Sequence, residues 1–417
     1  MSYTAISILV IFLAFSANVY AKTNSVCKTC KFSDIQSGVL NTSAHDTLLI
    51  HSGEYIVDNI LLEHPINIVG IDYPKLISKN GTEIITVVAD SVSIIGLHLS
   101  GVLPSYLVEH AAIKLKYCKN FNIISNQVIN CFFGIYLERA KFGLVQDNAV
   151  SGPKITDEAS SGNAIHAWYC DSLMISNNHL SGHRDGIYLE FVNNSIISGN
   201  KSFENNRYGL HFMFSNDDQY FNNVFLRNGV GVAVMFSRRI KMLNNKFHEN
   251  WGISSYGLLL KEINDAIIEG NDFHRNTIGV FVEGSNRINY RHNNFSRNGY
   301  GVQFSGGCMN NNIVSNNFVN NSLDIIVKSD INNNVIDRNY WSEYTGYDLN
   351  KDGVGDIPYY PIKLFSYIVE RVPESIILMR SLFVDIVNFS EKVSPIFTPK
   401  NVMDLHPSMT SFSYDKY

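Results

Sequence analysis

One repeat limits what this chain can fold into. Asparagine returns at Asn126, Asn148, Asn178, Asn200, Asn223, Asn245, Asn271, Asn293, Asn316 and Asn339. Two residues after each stand Val128, Val150, Leu180, Ser202, Phe225, Phe247, Phe273, Phe295, Phe318 and Trp341. The steps are 22, 30, 22, 23, 22, 26, 22, 23 and 23 residues. A second column, a glycine followed by alternating apolar residues, begins at Gly134, Gly186, Gly209, Gly231, Gly257, Gly279 and Gly301 and keeps the same period. Two features locked to one period make each repeat a unit that buries its apolar face only by stacking on its neighbours.

The runs between the asparagines are short, β-branched or aromatic, and alternate with period two, which is the pattern of strands. No interval is long enough for a crossover helix, and the leucine consensus of horseshoe repeats is missing. Asparagine at a fixed bend tolerates the left-handed conformation, and stacked asparagine amides can hydrogen-bond along an axis. Phe225, Phe247, Phe273, Phe295 and Phe318 would stack inside. The chain therefore reads as all-β: a right-handed parallel β-helix, a solenoid of about 22-residue coils. Asp46 to Ile50 with Gly53 to Tyr55 reads as the opening coil, and Ile66 to Gly70 as the next. Pro153 to Gly162 is a loop that accounts for the 30-residue step. After Trp341 the pattern stops, giving residues 22–343 as the β-helix and 344–417 as a turn-rich bridge with a short C-terminal helical segment. Pro373-Glu374-Ser375 can start that helix. Apolar residues then dominate to Phe389, more than one helix face can bury on a coil end. Part would cap the core, and the rest would dock on a partner.

The net charge of -5 is spread without long runs, which argues against a nucleic-acid partner. An apolar stretch from Ala5 to Ala17 followed by Val19-Tyr20-Ala21 has the form of a cleavable signal peptide, residues 1–21, and predicts export. Cys27 and Cys30 follow that cleavage site and could bind copper or close a disulfide, the favoured state in an oxidising compartment. Cys118, Cys131, Cys170 and Cys308 are expected to be buried among the coils. Asp348, Asn350, Asp352 and Asp356 have calcium-loop spacing. Tyr359 stands where a bidentate glutamate belongs, so the segment is read as a plain turn rather than a calcium site.

Strand parity assigns the outer surface. In each Gly-Φ-x-Φ-x run the x positions face solvent. His211, Met213 and Met235 then converge on adjacent coils, and imidazole with thioether suits Cu(I). The competing reading packs Met213 and Met235 under a loop or the C-terminal tail. Polysaccharide cleavage is the competing chemistry for the same face. Asp217-Asp218 and Arg239-Ile240-Lys241 are fragments of the kind found in pectin-degrading hydrolases, without the accompanying elements. Glu138, Glu190 and Glu283 share a column, but are read as solvated acidic residues rather than an acid–base pair.

The segments Arg184 to Phe191, Tyr208 to Asn216, Gly231 to Ser237, Ser255 to Glu262, and the bridge from Asn339 to Pro358 resemble the NosD family. The resemblance extends over nearly all of the chain after the signal peptide. It implies a periplasmic β-helix protein of denitrification that helps mature the copper sites of nitrous oxide reductase. Its partners would be an ABC transporter (a membrane subunit and its ATPase), a copper chaperone lipoprotein, and nitrous oxide reductase itself. It also implies an accessory factor with no turnover of its own and a C-terminal segment that meets the membrane subunit, and it strengthens the copper reading of His211, Met213 and Met235, whose assignment as ligands rests on the column geometry. The alternative function is a carbohydrate-binding or polysaccharide-cleaving β-helix protein.

Overall fold

A computed structural model describes residues 22–153, 160–328, 333–379, 381–393 and 402–413; the expected signal peptide lies outside them. The chain winds as a parallel β-helix through sheets A, B and C, which hold 14, 13 and 12 parallel strands. One coil shows the scheme: Ile196–Ser198 enters sheet A, Lys201–Phe203 sheet B, and Tyr208–Met213 sheet C. Inward residues of this coil, Ile197, Leu210 and Phe212, are wholly buried. Each strand pairs in register with the corresponding strand one coil away, Tyr188 with His211 and His211 with Ala233.

The asparagine column forms a ladder at the corner between sheets A and B. Asn223 is representative. Its backbone N–H and Nδ2 both donate to Asn245 Oδ1 at 3.0 Å, and Nδ2 also donates to Ile197 O at 2.9 Å. Its own Oδ1 accepts from the backbone N–H and Nδ2 of Asn200 at 2.9 and 3.0 Å. Both capacities of the buried amide are thus used, which a dry corner demands. The left-handed bend falls one residue earlier than expected, at Asn222 (φ 57°), Asn244 (φ 55°) and their equivalents. The bend turns the chain while the next residue, the ladder asparagine, sends its amide inward.

A second ladder stands at the corner between sheets B and C. His183 N–H donates to Asn205 Oδ1, and the relay continues through Asn228, Asn250, Asn276, Asn298 and Asn321. The same period in the sequence, offset five residues from the first column, could have revealed it. Inside, Phe225, Phe247, Phe273, Phe295, Phe318 and Trp341 stack with centroids 4.4–5.4 Å apart, as expected, and Tyr359 of the bridge extends the stack.

Both ends are closed. Helix α1 (Ile35–Leu40), capped by Asp34, buries Ile35 and Val39 over the first coils. At the other end α2 (Leu364–Arg371), a 3-10 turn (Pro373–Leu378) and α3 (Leu382–Val393) follow the bridge. Pro373-Glu374-Ser375 thus starts a 3-10 turn, and the next α-helix, α3, begins only at Leu382. Phe365, Val369 and Val384 form a small core with Tyr300 packed against it. The chain then returns as a strap: Ser408 N–H donates to Asn339 O, and Phe412 exchanges two hydrogen bonds with the side chain of Asn317.

Asp404 on this strap is the last rung of the first ladder. Its Oδ2 accepts from Asn339 N–H, Asn339 Nδ2 and Trp341 Nε1, while Oδ1 accepts from the backbone N–H groups of Arg338 and His406. With no coil beyond to receive an amide N–H, the terminal rung must accept on both atoms, and only a carboxylate does so. Burial outweighs these donors and raises its carboxyl above the usual range. Asp404→Asn would aim an N–H at two backbone donors. It is expected to cost about 2 kcal/mol in chemical denaturation even though asparagine is the residue of every other rung.

Candidate functional site on the outer face of sheet C

Strands Asp185–Glu190, Tyr208–Met213 and Val230–Met235 lie side by side in sheet C. Their register pairs Glu190 with Met213 and Met213 with Met235, and places His211 two residues before Met213 on the same face. The structure thus brings the three expected ligands onto one patch. Both thioethers are half-buried, and Tyr188 Oη donates to Met213 Sδ at 3.7 Å.

The outward column does not meet solvent as parity suggested. His211 is only 5 % exposed, and Tyr136 and His166 are similarly covered. The cause is the strand spacing: rings on successive coils pack against and shield one another, stacked at Tyr136–His166 and edge-on or tilted beyond it. Tyr136 and His166 centroids are 4.6 Å apart, His166 and Tyr188 4.8 Å, and Tyr188 and His211 4.7 Å, with Tyr208 against His211 at 4.6 Å. His166 Nδ1 meets Asn163 Nδ2 at 3.0 Å. Burial, assisted by the charge of Arg184, drives its pKa down to about 3, so His166 is neutral at physiological pH.

A buried carboxylate anchors this column. Asp185 is fully buried and takes a two-pronged bond from Arg207, Nε to Oδ1 at 2.9 Å and Nη2 to Oδ2 at 2.5 Å. His211 Nδ1 lies 3.8 Å from Asp185 Oδ2. Burial works against the charge, and the neighbouring imidazole and the Arg207 fork outweigh it, so the carboxyl stays below the usual carboxylate range. Sequence reasoning missed this pair. Alternation assigns Asp185 to the core side, and only the corner at the start of the strand brings it to His211.

Among the described residues no three His, Cys, Asp or Glu side chains converge as metal ligands. Imidazole and thioether are therefore the donors this face offers. Among the described residues, neither nitrogen of His211 has a hydrogen-bond partner within bonding distance. A soft ion that accepts two or three neutral donors fits that set better than a hard one. The other candidates have structural partners. Glu138 and Glu190 are separated by Trp168 in the register, and Glu283 pairs with Lys261 at 3.5 Å. Asp217 holds Arg239 in an exposed pair, while Asp218 is buried and accepts from Ser195 N–H. Cys27 and Cys30 form a disulfide, and the other four cysteines are buried. In the calcium-like loop, Asp348, Asn350, Asp352 and Asp356 all accept backbone N–H bonds.

Fold and patch together define a parallel β-helix protein whose sheet C carries a buried acid–imidazole–phenol column flanked by methionines. Residues 147–350, which contain that column's His166, Tyr188 and His211 and both methionines, match the family model for periplasmic copper-binding protein (NosD). Two curated relatives are each described as a probable ABC transporter binding protein NosD. One, from Stutzerimonas stutzeri, is 32 % identical over 112 residues, and one from Pseudomonas aeruginosa is 27 % identical over 112 residues. The matched stretch covers 26 % of this chain and 26 % of each relative. Among solved structures, the catalytic domain of a GH87 α-1,3-glucanase in complex with tetrasaccharides matches 77 % of this chain and 69 % of its own at 12 % identity and a TM-score of 0.53. That likeness is one of fold.

The Asp185–Arg207 pair yields a test. Asp185→Asn leaves Arg207 without its counter-charge and is expected to destabilise the protein by about 3 kcal/mol at neutral pH. Because the folded-state pKa of Asp185 is depressed, its contribution is present above the unfolded value of about 4 and is lost as pH falls. The gap between wild type and variant in denaturant midpoint should therefore narrow below about pH 4.

Proposed function

We propose that this protein is an exported copper-handling accessory factor that holds Cu(I) at His211, Met213 and Met235 and serves assembly of the copper sites of nitrous oxide reductase. The observation that carries the reading is the register of sheet C. It sets Met213 against Met235, with His211 on the same face, inside the segment that matches a copper-binding family. His211 and the two sulfurs supply neutral, soft donors. The Asp185–Arg207 pair and the stacked phenols hold the imidazole in place, and Tyr188 orients the Met213 sulfur. The ion is cargo rather than a resident cofactor, received from a copper chaperone lipoprotein and passed onward by exchange of ligands, with no covalent bond of this patch changed. His211→Ala, Met213→Leu and Met235→Leu should each weaken Cu(I) binding in a chelator competition by about tenfold or more, with the melting curve of the two leucine variants unchanged. Unaltered affinity in all three variants would overturn the assignment, and release of sugar from uronic-acid polymers would favour a carbohydrate-active protein instead.

The transporter is the second part of the proposal. Among the described residues no helix is long and apolar enough to cross a membrane. Yet Ile377, Leu382, Phe383, Ile386 and Phe389 of the C-terminal helical segment are exposed. We assign this face to the membrane subunit of an ABC transporter, a reading supported by the relatives' description as ABC transporter binding proteins. Deleting the whole C-terminal region would also remove the Asp404 rung, so point changes are the sharper test. Leu382→Ser, Ile386→Ser and Phe389→Ser combined should abolish co-purification with the transporter while leaving the β-helix folded. Retained co-purification would sink the docking assignment.

A further inference from the structure

The six cysteines fall into two chemical populations. Cys118, Cys131, Cys170 and Cys308 are buried, and their thiols donate to backbone carbonyls, as Cys118 does to Lys116 O at 3.1 Å. Burial pushes Cys118 up to about 11 and Cys131 and Cys170 up to about 12, which leaves them protonated and unreactive. Cys27 and Cys30 are different: half-exposed, joined as a disulfide across one turn, and surrounded by exposed Lys28, Thr29 and Lys31.

That turn does not depend on its disulfide. Cys27 N–H donates to Phe32 O at 3.1 Å, Cys30 N–H donates to Cys27 O at 3.2 Å, and Val26 bridges to Phe32. Val26 and Phe32 are both buried in the core and hold the two ends of the turn. A bond between residues three apart removes far less freedom from the unfolded chain than one closing a long loop. Lys28 and Lys31 flank the pair in sequence, and positive charge on the same short turn favours thiolates once the bond opens. The pair is therefore cheap to open, accessible and poised as a nucleophile, unlike a structural staple.

We propose that Cys27 and Cys30 form a redox-gated site for a soft monovalent cation, Cu(I), closed as the disulfide and open as the dithiol. Opening needs an external thiol. Its thiolate attacks one sulfur, the other sulfur leaves and takes a proton, and a second external thiol resolves the mixed disulfide. Two external thiols are oxidised to one disulfide and the protein gains two S–H groups. Cu(I) then displaces both protons and sits between the two sulfurs, and two thiolates suffice because Cu(I) accepts few ligands. The Cα atoms of the pair are 4.9 Å apart, so both sulfurs reach one ion from the same turn.

The site is independent of the patch on sheet C. Seven strand spacings along sheet A, about 34 Å, separate the coil of Cys27 from the coil of His211. The proposal therefore stands whether or not His211, Met213 and Met235 hold copper. The test compares full-length protein in its oxidised form with protein reduced by dithiothreitol and freed of it without air, both titrated with Cu(I) against bicinchoninate. The reduced form should bind one equivalent more than the oxidised form. Cys27→Ser with Cys30→Ser should bind the same amount in both states, and Met213→Leu should keep the extra equivalent. Lys28→Glu with Lys31→Glu should slow opening by glutathione several-fold. Equal stoichiometry in the two states, once maleimide labelling has confirmed two freed thiols, would overturn the site. So would a disulfide that opens only when the circular dichroism of the β-helix is lost.

Discussion

The asparagine ladder is the interaction on which the rest of the structure depends. A parallel β-helix must turn its chain at every corner, and each turn leaves backbone groups inside that cannot reach water. The ladder answers with one buried amide per coil that bonds to the coils on both sides, so the solution for one corner is also the solution for its neighbours. Using both the donors and the acceptor of each ladder amide in a low-dielectric corner gives the stack its rigidity, because any shift of one coil would strand donors in two others. The second ladder at the next corner, from Asn205 to Asn321, repeats the device and holds the coil against rotation.

That rigidity is what makes the outer face of sheet C usable. Strands held in register about 4.8 Å apart place chosen side chains at chosen spacings without a loop to order. Phenol and imidazole rings fit that spacing in stacked, edge-on and tilted pairs, and in packing so they exclude water from one another. The same packing that buries His211 buries the Asp185 carboxylate beside it, which the half-buried Arg207 holds with two hydrogen bonds. The two methionines at the margin remain half-exposed, so the patch combines a fixed interior with an approachable edge.

A solenoid has two open ends, and the two caps use different chemistry. The first coils are closed by apolar burial under α1, whose Ile35 and Val39 cover the core. The last coils are closed by extending what already runs through them. Tyr359 continues the aromatic stack, and Asp404 continues the ladder as a pure acceptor where, among the described residues, no further rung accepts an amide N–H. The strap that carries Asp404 comes from beyond the C-terminal helices, so those helices are tied to the coil end on both sides.

The repeat was fully legible in the sequence, and with it the parallel β-helix, the first ladder and the internal stack from Phe225 to Trp341. Each of these depends on which residue type recurs at which interval, and the interval is a property of the chain alone. The grouping of His211, Met213 and Met235 on one face was legible for the same reason, since strand parity and a fixed period determine register. Three things were not. The burial of His211 depends on what its neighbours in the stack cover. The pairing of Asp185 with Arg207 and His211 depends on how a corner redirects a residue that alternation points inward. The role of Asp404 depends on a strap arriving from 65 residues beyond Asn339. Period and parity act between adjacent coils and so can be read from spacing. Shielding, corner geometry and long-range closure arise only when the coils are stacked in space, and only the tertiary structure decided them.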